Sequence, residues 1–283
     1  MLETPFVRSV FHPSDFSEAS HTAFVHALAI VLYRQAKLTV LHVAPRSGAD
    51  DEWAQSPRVR ETLEQWGVLE PGSARSEVFD RLAIRVAKIG VRAADPVKAI
   101  VQELDRRNAD LVVLATEGRG GLPRWLKPSV AEGVARRSKT MTLFVPGGGT
   151  GFVSPESGNV GLKRILLPVD HKPKPQAAIT FAARAAVMSH EESVEVTLLR
   201  IGEQPDWPEA ELPEMQSCSW EKVHRSGEVV ESIVQVAAER SADLIVMATE
   251  GTDGVLDALR GTVTEQVVRN AGCPVLAVPA GRM

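Results

Sequence analysis

The sequence predicts an α/β protein built as two copies of one unit, each a parallel sheet with crossover helices. The strongest observation is a near-repeat: VKAIVQELDRRNADLVVLATEG, Val97 to Gly118, returns as VESIVQVAAERSADLIVMATEG, Val230 to Gly251. Self-similarity at so long a spacing indicates two copies of a domain rather than a solenoid. Short apolar runs alternate with longer helical patterns, the signature of strands joined by helices. The length of 283 residues also suits two domains of roughly 150 residues each.

The elements follow in order. Val7 to Phe11 and Arg164 to Val169 read as first strands. Ser17 to Gln35, with apolar Ala23, Val25, Leu28, Ala29 and Leu32, reads as a helix whose partner is Gln176 to Met188. Second strands follow at Leu38 to Val43 and Val194 to Ile201, and weaker third strands near Ala87 to Arg92 and Ser219 to His224. Asp95 before Pro96 reads as an N-cap with proline at the first helical position, opening a helix to about Arg107. Its copy runs from Glu228 to Arg240. Asp110 to Ala115 and Asp243 to Ala248 are nearly continuous in Val, Leu, Ile and Met, as strands covered on both faces require. A last helix (Ser129 to Arg137, Thr262 to Asn270) and strand (Met141 to Val145, Val275 to Val278) close each copy. Ala44 to Trp66 and Gly202 to Met215 read as surface insertions or lids.

The units are expected at residues 1–146 and 162–283, joined by a linker at 147–161 whose Gly, Ser and Pro content suggests a flexible connector rather than core. Hydrophobic residues make up 44% and charged residues 24%, the balance of a globular protein that buries a core. A net charge of -4 with no Lys/Arg block gives no general attraction to nucleic acid or anionic membrane. The start of the chain lacks a leader pattern and no apolar run approaches a spanning helix, so a cytoplasmic location is expected. Cys218 and Cys273 are too few for a disulfide scaffold, with a single bridge left open. The seven histidines are scattered and form no metal pattern.

Chemistry is expected where strand tips meet helix starts. In the second copy, Ala248-Thr249-Glu250-Gly251 is followed by nine residues and then Gly261-Thr262-Val263 opening a helix. Small residues admit a ligand close to the backbone, and bare amides in a first helical turn attract phosphate oxygens. The first copy offers Ala115-Thr116-Glu117-Gly118, nine residues, then Pro128-Ser129-Val130, where proline removes a donor. The second copy is the better cradle, although Glu117 and Glu250 would repel a triphosphate unless a divalent cation or an outward rotamer relieves it. Asp15 and Asp170, at the first-strand tips in HPSDF and LPVDH, read either as ligand contacts or as backbone caps. The nucleophile elbow, the P-loop and the dinucleotide fingerprint are all missing, so no nucleophile and base can be assigned.

On these residues the chain resembles the universal stress protein family in its tandem form, over essentially its whole length. Nucleotide-binding members carry G-x2-G-x9-G-[S/T] after the fourth strand and an aspartate at the first strand tip. Gly251, Gly261 and Thr262 match, with Ala248 in place of the first glycine; in the first copy Gly118 and Ser129 match while Ala115 and Pro128 depart. The resemblance implies two Rossmann-like, adenine nucleotide alpha hydrolase-like domains, each a five-stranded parallel sheet of order 3-2-1-4-5 with helices on both faces. It implies a nucleotide site in the second domain made of Pro168, Asp170, Ile201, Ala248, Gly251, Gly261, Thr262 and Val263, with Arg200 near the base or a phosphate. A weaker site would use Asp15, Val43, Ala115, Gly118, Ser129 and Val130. The ligand implied is ATP or AMP, with or without Mg2+, bound by a stress-linked regulator with at most slow ATP hydrolysis. The copies would pack as an internal pseudo-dimer through their last strands, with a further homodimer left open. The alternative is a module of the same fold that has lost its ligand and acts through protein partners.

Overall fold

The computed structural model describes residues 7–44, 56–116, 130–147, 151–250 and 262–281. In the amino-terminal half these form β1 (Ser9–Pro13), α1 (Glu18–Arg34), β2 (Lys37–Ala44), α2 (Val59–Gln65), α3 (Glu77–Asp80), β3 (Arg85–Arg92), α4 (Pro96–Arg107), β4 (Leu111–Thr116), α5 (Val130–Arg137) and β5 (Met141–Pro146). The carboxy-terminal half follows with β6 (Arg164–Val169), α6 (Gln176–Val187), β7 (Val194–Ile201), β8 (Cys218–Arg225), α7 (Val229–Glu239), β9 (Leu244–Thr249), α8 (Val263–Asn270) and β10 (Val275–Pro279). No described helix is long and apolar enough to cross a membrane.

All ten strands join one sheet, ordered β3-β2-β1-β4-β5-β10-β9-β6-β7-β8. Each half therefore has the order 3-2-1-4-5, parallel within itself. The halves meet where β5 and β10 pair antiparallel, Leu276 opposite Leu143. Residue patterns explain the positions. β4 and β9 are buried along nearly their whole length and lie inside, whereas β3 and β8 are largely exposed and form the two edges. One apolar layer sits between the sheet and α1, α2 and α6; the other lies under α4, α5, α7 and α8.

Local chemistry sets the element ends. The Ser17 hydroxyl accepts from the Ser20 amide to start α1, and Gln35 ends it in the left-handed conformation. Asp95 caps α4 by accepting from the Lys98 amide, with Pro96 in the first turn. Asp110 Oδ2 accepts from the amides of Arg8 and Ser9, and its copy Asp243 does the same for Lys163 and Arg164. That carboxylate holds the entry to the first strand, which explains why β1 spans Ser9–Pro13 rather than Val7 to Phe11.

Two expectations change. The connector is partly core: Phe152, Val153 and Val160 are buried, and Val153 bridges Val160. Gly158, at φ 72°, lies flat on Trp66, whose Nε1 donates to the Pro155 carbonyl at 2.9 Å; a Cβ at residue 158 would sit 2.4 Å from the indole. Composition pointed to flexibility, but three apolar side chains decide the packing. The insertion after β2 likewise contains α2, which buries Val59 and Leu63. The one after β7 has no helix, yet Trp207, Leu212 and Met215 pack against the core. Both cysteines are free.

Candidate functional site at the strand tips

In each half the sheet order reverses between the first and fourth strands, whose following helices leave on opposite faces, so a crevice opens beyond their carboxyl ends. The pairing shows the opening directly. β1 and β4 pair only at Val10–Leu111 and Phe11–Val112, although the strands run on to Pro13 and Thr116. β6 and β9 pair only at Ile165–Leu244 and Leu166–Ile245, short of Val169 and Thr249. The strands splay toward their tips, and Asp15, Val43, Ala115, Pro168, Asp170, Ile201 and Ala248 stand at or near the ends of their strands.

In the carboxy-terminal half, Asp170 follows β6 with its side chain 58% exposed. Its Oδ1 accepts from the His171 amide at 2.7 Å and lies 3.5 Å from Arg200 Nη1. Arg200, at the tip of β7, is well covered, and its guanidinium donates to the carbonyls of Asp206 and Ile201 at 2.7 and 2.6 Å. His171 Nε2 is 3.0 Å from Asp206 Oδ2. Pro168 and Ile201 stand on the adjacent tips of β6 and β7, and half-buried Ala248 lies on β9, the other neighbour of β6. Thr262 caps α8, its Oγ1 accepting from the Glu265 amide at 3.2 Å, which leaves its own proton free to donate; Val263 is exposed in the first turn. Gly251 and Gly261 lie outside the described residues.

The amino-terminal half differs. Asp15 Oδ1 accepts from the amide and hydroxyl of Ser17, at 3.0 and 2.6 Å, which is the backbone-cap role. The next residue, Phe16, takes a left-handed φ of 62° and lays its ring over His42, with centroids 4.3 Å apart and planes 17° apart. His42 Nδ1 donates to the Ser14 carbonyl at 2.8 Å. Below this stack, fully buried His12 donates from Nδ1 to the Val113 carbonyl, and Ser20 lies between His12 Nε2 and Ser14. Val43 and Ala115 are half-buried and Val130 is exposed at the start of α5; Gly118 and Ser129 lie outside the described residues.

Sequence reasoning passed over Phe16, His42, His171 and Asp206. A signal existed for two of them: aligning HPSDF with LPVDH sets Phe16 opposite His171. His42 was one of several scattered histidines. Asp206 sits in an irregular loop that no periodicity marks. Among the described residues, no three His, Cys, Asp or Glu side chains gather as a metal site.

The universal stress protein family model matches residues 7–146 and 161–279, one segment per half of the sheet. A universal stress protein of Mycobacterium tuberculosis is 24% identical, with 86% of this chain and 87% of that protein covered. One from Methanocaldococcus jannaschii is 45% identical over 60 residues, a stretch that spans 35% of that relative. The crystal structure of a universal stress protein from Archaeoglobus fulgidus superposes with a TM-score of 0.66 at 19% identity, covering 97% of this chain and 99% of that one. The doubled 3-2-1-4-5 sheet and both matched segments lead to one conclusion: the chain belongs to the universal stress protein family.

Proposed function

We propose that this universal stress protein binds an adenine nucleotide, ATP or AMP, chiefly in its carboxy-terminal half, and serves as a stress-linked regulator rather than a catalyst. The observation that carries this reading is the contrast between the two tips. In the amino-terminal half an aromatic ring covers the space beside the strand tips, and Asp15 is committed to Ser17. In the carboxy-terminal half a solvent-facing carboxylate and a guanidinium stand side by side, with Pro168 and Ile201 flanking them. A carboxylate of this kind suits ribose hydroxyls or the adenine amino group, and a guanidinium suits a base face or a phosphate. Asp170, Pro168, Ile201 and Ala248 would hold the nucleoside, while Gly251, Gly261, Thr262 and Val263 would face the phosphates. Glu250, exposed just beyond β9, makes Mg2+ a natural companion to a triphosphate there.

We also read the chain as an internal pseudo-dimer divided at residues 147–161. β5 meets β10, and on one face Arg136 of α5 forms a two-pronged ion pair with Glu265 of α8 while Arg269 of α8 does the same with Glu132 of α5. Such reciprocity is the mark of a self-complementary interface.

Isothermal titration with Mg-ATP and with AMP tests the nucleotide site; absence of saturation at millimolar ligand sinks it. A second reading, a ligand-free interaction module, is favoured by one observation: the Arg200 guanidinium already donates to two carbonyls of its own loop. Mass spectrometry of gently purified protein separates the two, since a co-purified nucleotide supports the first reading and a stoichiometric protein the second.

A further inference from the structure

The two strand tips are closed in different ways. In the amino-terminal half the closing group is Phe16, a residue of the tip itself, stacked on His42. In the carboxy-terminal half it is a separate segment between β7 and β8, Glu203 to Glu214, which contains no helix or strand. Two clasps hold this strap. At the first, Arg200 Nε donates to the Asp206 carbonyl at 2.7 Å and His171 Nε2 lies 3.0 Å from Asp206 Oδ2. At the second, the Gln176 side chain takes both backbone groups of Glu211: its Nε2 donates to the carbonyl at 3.0 Å and its Oε1 accepts from the amide at 2.8 Å. Beyond the clasps the strap is anchored on β8, where Trp220 Nε1 donates to the Pro213 carbonyl at 3.0 Å and Lys222 lies over the Trp207 ring.

The clasp residues stand just after β6, at the tip of β7 and at the start of α6, so the strap is fastened to the elements that frame the crevice. Arg200 is the shared group. Its side chain is 15% exposed, with Nε and Nη1 given to the carbonyls of Asp206 and Ile201. A ligand that is to meet this guanidinium must take the place of the Asp206 carbonyl. The strap is also acidic: it carries Glu203, Asp206, Glu209, Glu211 and Glu214 and no lysine or arginine. An anionic ligand at Arg200 therefore competes for the same donors and repels the segment that holds them.

We propose that residues 203–214 are a latch on the carboxy-terminal site, closed in the free protein and opened by the nucleotide. The latch rests on the nucleotide reading above and adds its regulation. A ligand binds only the open form, so its apparent affinity is the intrinsic one reduced by the fraction of chains in which the strap is released. Whatever loosens either clasp raises that fraction and tightens binding.

The test is hydrogen exchange at the Glu211 amide of the full chain, read by NMR with and without saturating AMP, beside calorimetric titration of the wild type and of Gln176→Ala. Glu211 donates to Gln176, so its amide is expected to be protected in the free protein and to exchange about tenfold faster with AMP bound. Binding that merely ordered the site would slow exchange there instead. Gln176 has no place among the proposed nucleotide contacts, and Gln176→Ala is expected to bind AMP about threefold to tenfold tighter. Saturation by AMP with Glu211 still protected overturns the latch and leaves the nucleotide site standing, as does equal or weaker affinity in Gln176→Ala. Saturation of the variant alone supports the latch in its extreme form, and absence of saturation in both chains overturns latch and nucleotide site together. Should Gln176→Ala fold poorly, the direction of exchange at Glu211 in the wild type decides.

Discussion

At the tip of β1, Phe16 lies over His42; at the matching tip of β6, His171 and Arg200 turn instead to Asp206 and Asp170. The positions correspond through the sheet register. Pro13 pairs with Leu41 and Pro168 with Leu199, so His42 and Arg200 are the next residues along equivalent strands. The same backbone thus carries a ring stack in one half and a cluster of charges in the other. Residues that build the repeat have stayed alike: Asp110 and Asp243 hold the same two amides of the first strand, and α5 and α8 carry the same Glu and Arg. Those side chains are fixed by the backbone amides and the ion-pair partners they hold. The tips face solvent, where a change of side chain leaves the sheet intact, so the two sites are free to diverge.

The largest way to test the difference is acid. His12 is pushed down to about 4, first by burial, against the Val113 carbonyl and Asp15, which favour the charged form. His26 is likewise pushed down to about 4 by burial, its Nδ1 donating to the Thr22 carbonyl. Both fold as neutral rings, whereas the unfolded chain takes up protons near 6.5. Stability is therefore complete above pH 6.5 and declines as the pH falls toward 4, by about 3 kcal/mol per histidine. Both residues lie in the amino-terminal half, and the position matching His12 is Leu167. Hydrogen exchange at pH 7.5 and 4.5, corrected for intrinsic rates, should show β1 and α1 losing protection before β6 and α6. Equal loss in both halves contradicts the asymmetry.

Next in size is the contrast between the two aspartates. Asp170→Ala should weaken nucleotide binding by about tenfold to a hundredfold, the worth of one charge-assisted hydrogen bond of ~1.5–3 kcal/mol. Asp15→Ala should leave affinity unchanged and lower stability by about 1 kcal/mol through the lost cap. Parallel titrations and melts of the two variants check this. Similar affinity losses for both would mean that the halves share one binding role.

The fold was legible because its signals repeat and are local. A continuous apolar run marked β4 and β9, and Asp95-Pro96 marked the start of α4. Failures came where packing between distant segments overrides composition. The Gly- and Ser-rich connector hides Phe152, Val153 and Val160, which are buried only because Trp66 and α1 lie beneath them; His26 meets Phe152 edge-on at 4.7 Å. The place of Asp170 at the tip of β6 was legible in the sequence, but the Phe16 stack was not. It depends on a left-handed backbone at a residue type that rarely takes one. The ion pairs teach the same point. Glu132 and Arg136, like Glu265 and Arg269, have the spacing of pairs within one helix, yet each arginine reaches the glutamate of the other helix.

Those pairs give a smaller effect and an opposite pattern, since here the halves should behave alike. The glutamate side chains are 10–11% exposed and their arginines 41–49%. Solvent screening therefore reduces the 3–5 kcal/mol cost of breaking a buried pair to about 1–2 kcal/mol. Glu132→Gln and Glu265→Gln should lose that amount equally in urea denaturation. Reversing one pair, Arg136→Glu with Glu265→Arg, should recover most of what Arg136→Glu alone costs. A cost seen in only one of the two glutamine variants breaks the reciprocity.

The smallest expected effect bears most directly on why the tips differ. A stacked ring pair contributes about 0.5–1.5 kcal/mol, so Phe16→Ala should lower stability by about 1 kcal/mol. It also removes the ring that stacks on His42, whose Nδ1 stays tied to the Ser14 carbonyl. If Phe16 occupies the place of a ligand, the variant gains a second, weaker nucleotide-binding event in titration, and adding Asp170→Ala leaves only that event. If no second event appears, Phe16 is not what closes the amino-terminal half. The difference would then have to lie in the phosphate-side motif, where Pro128 stands in place of Gly261.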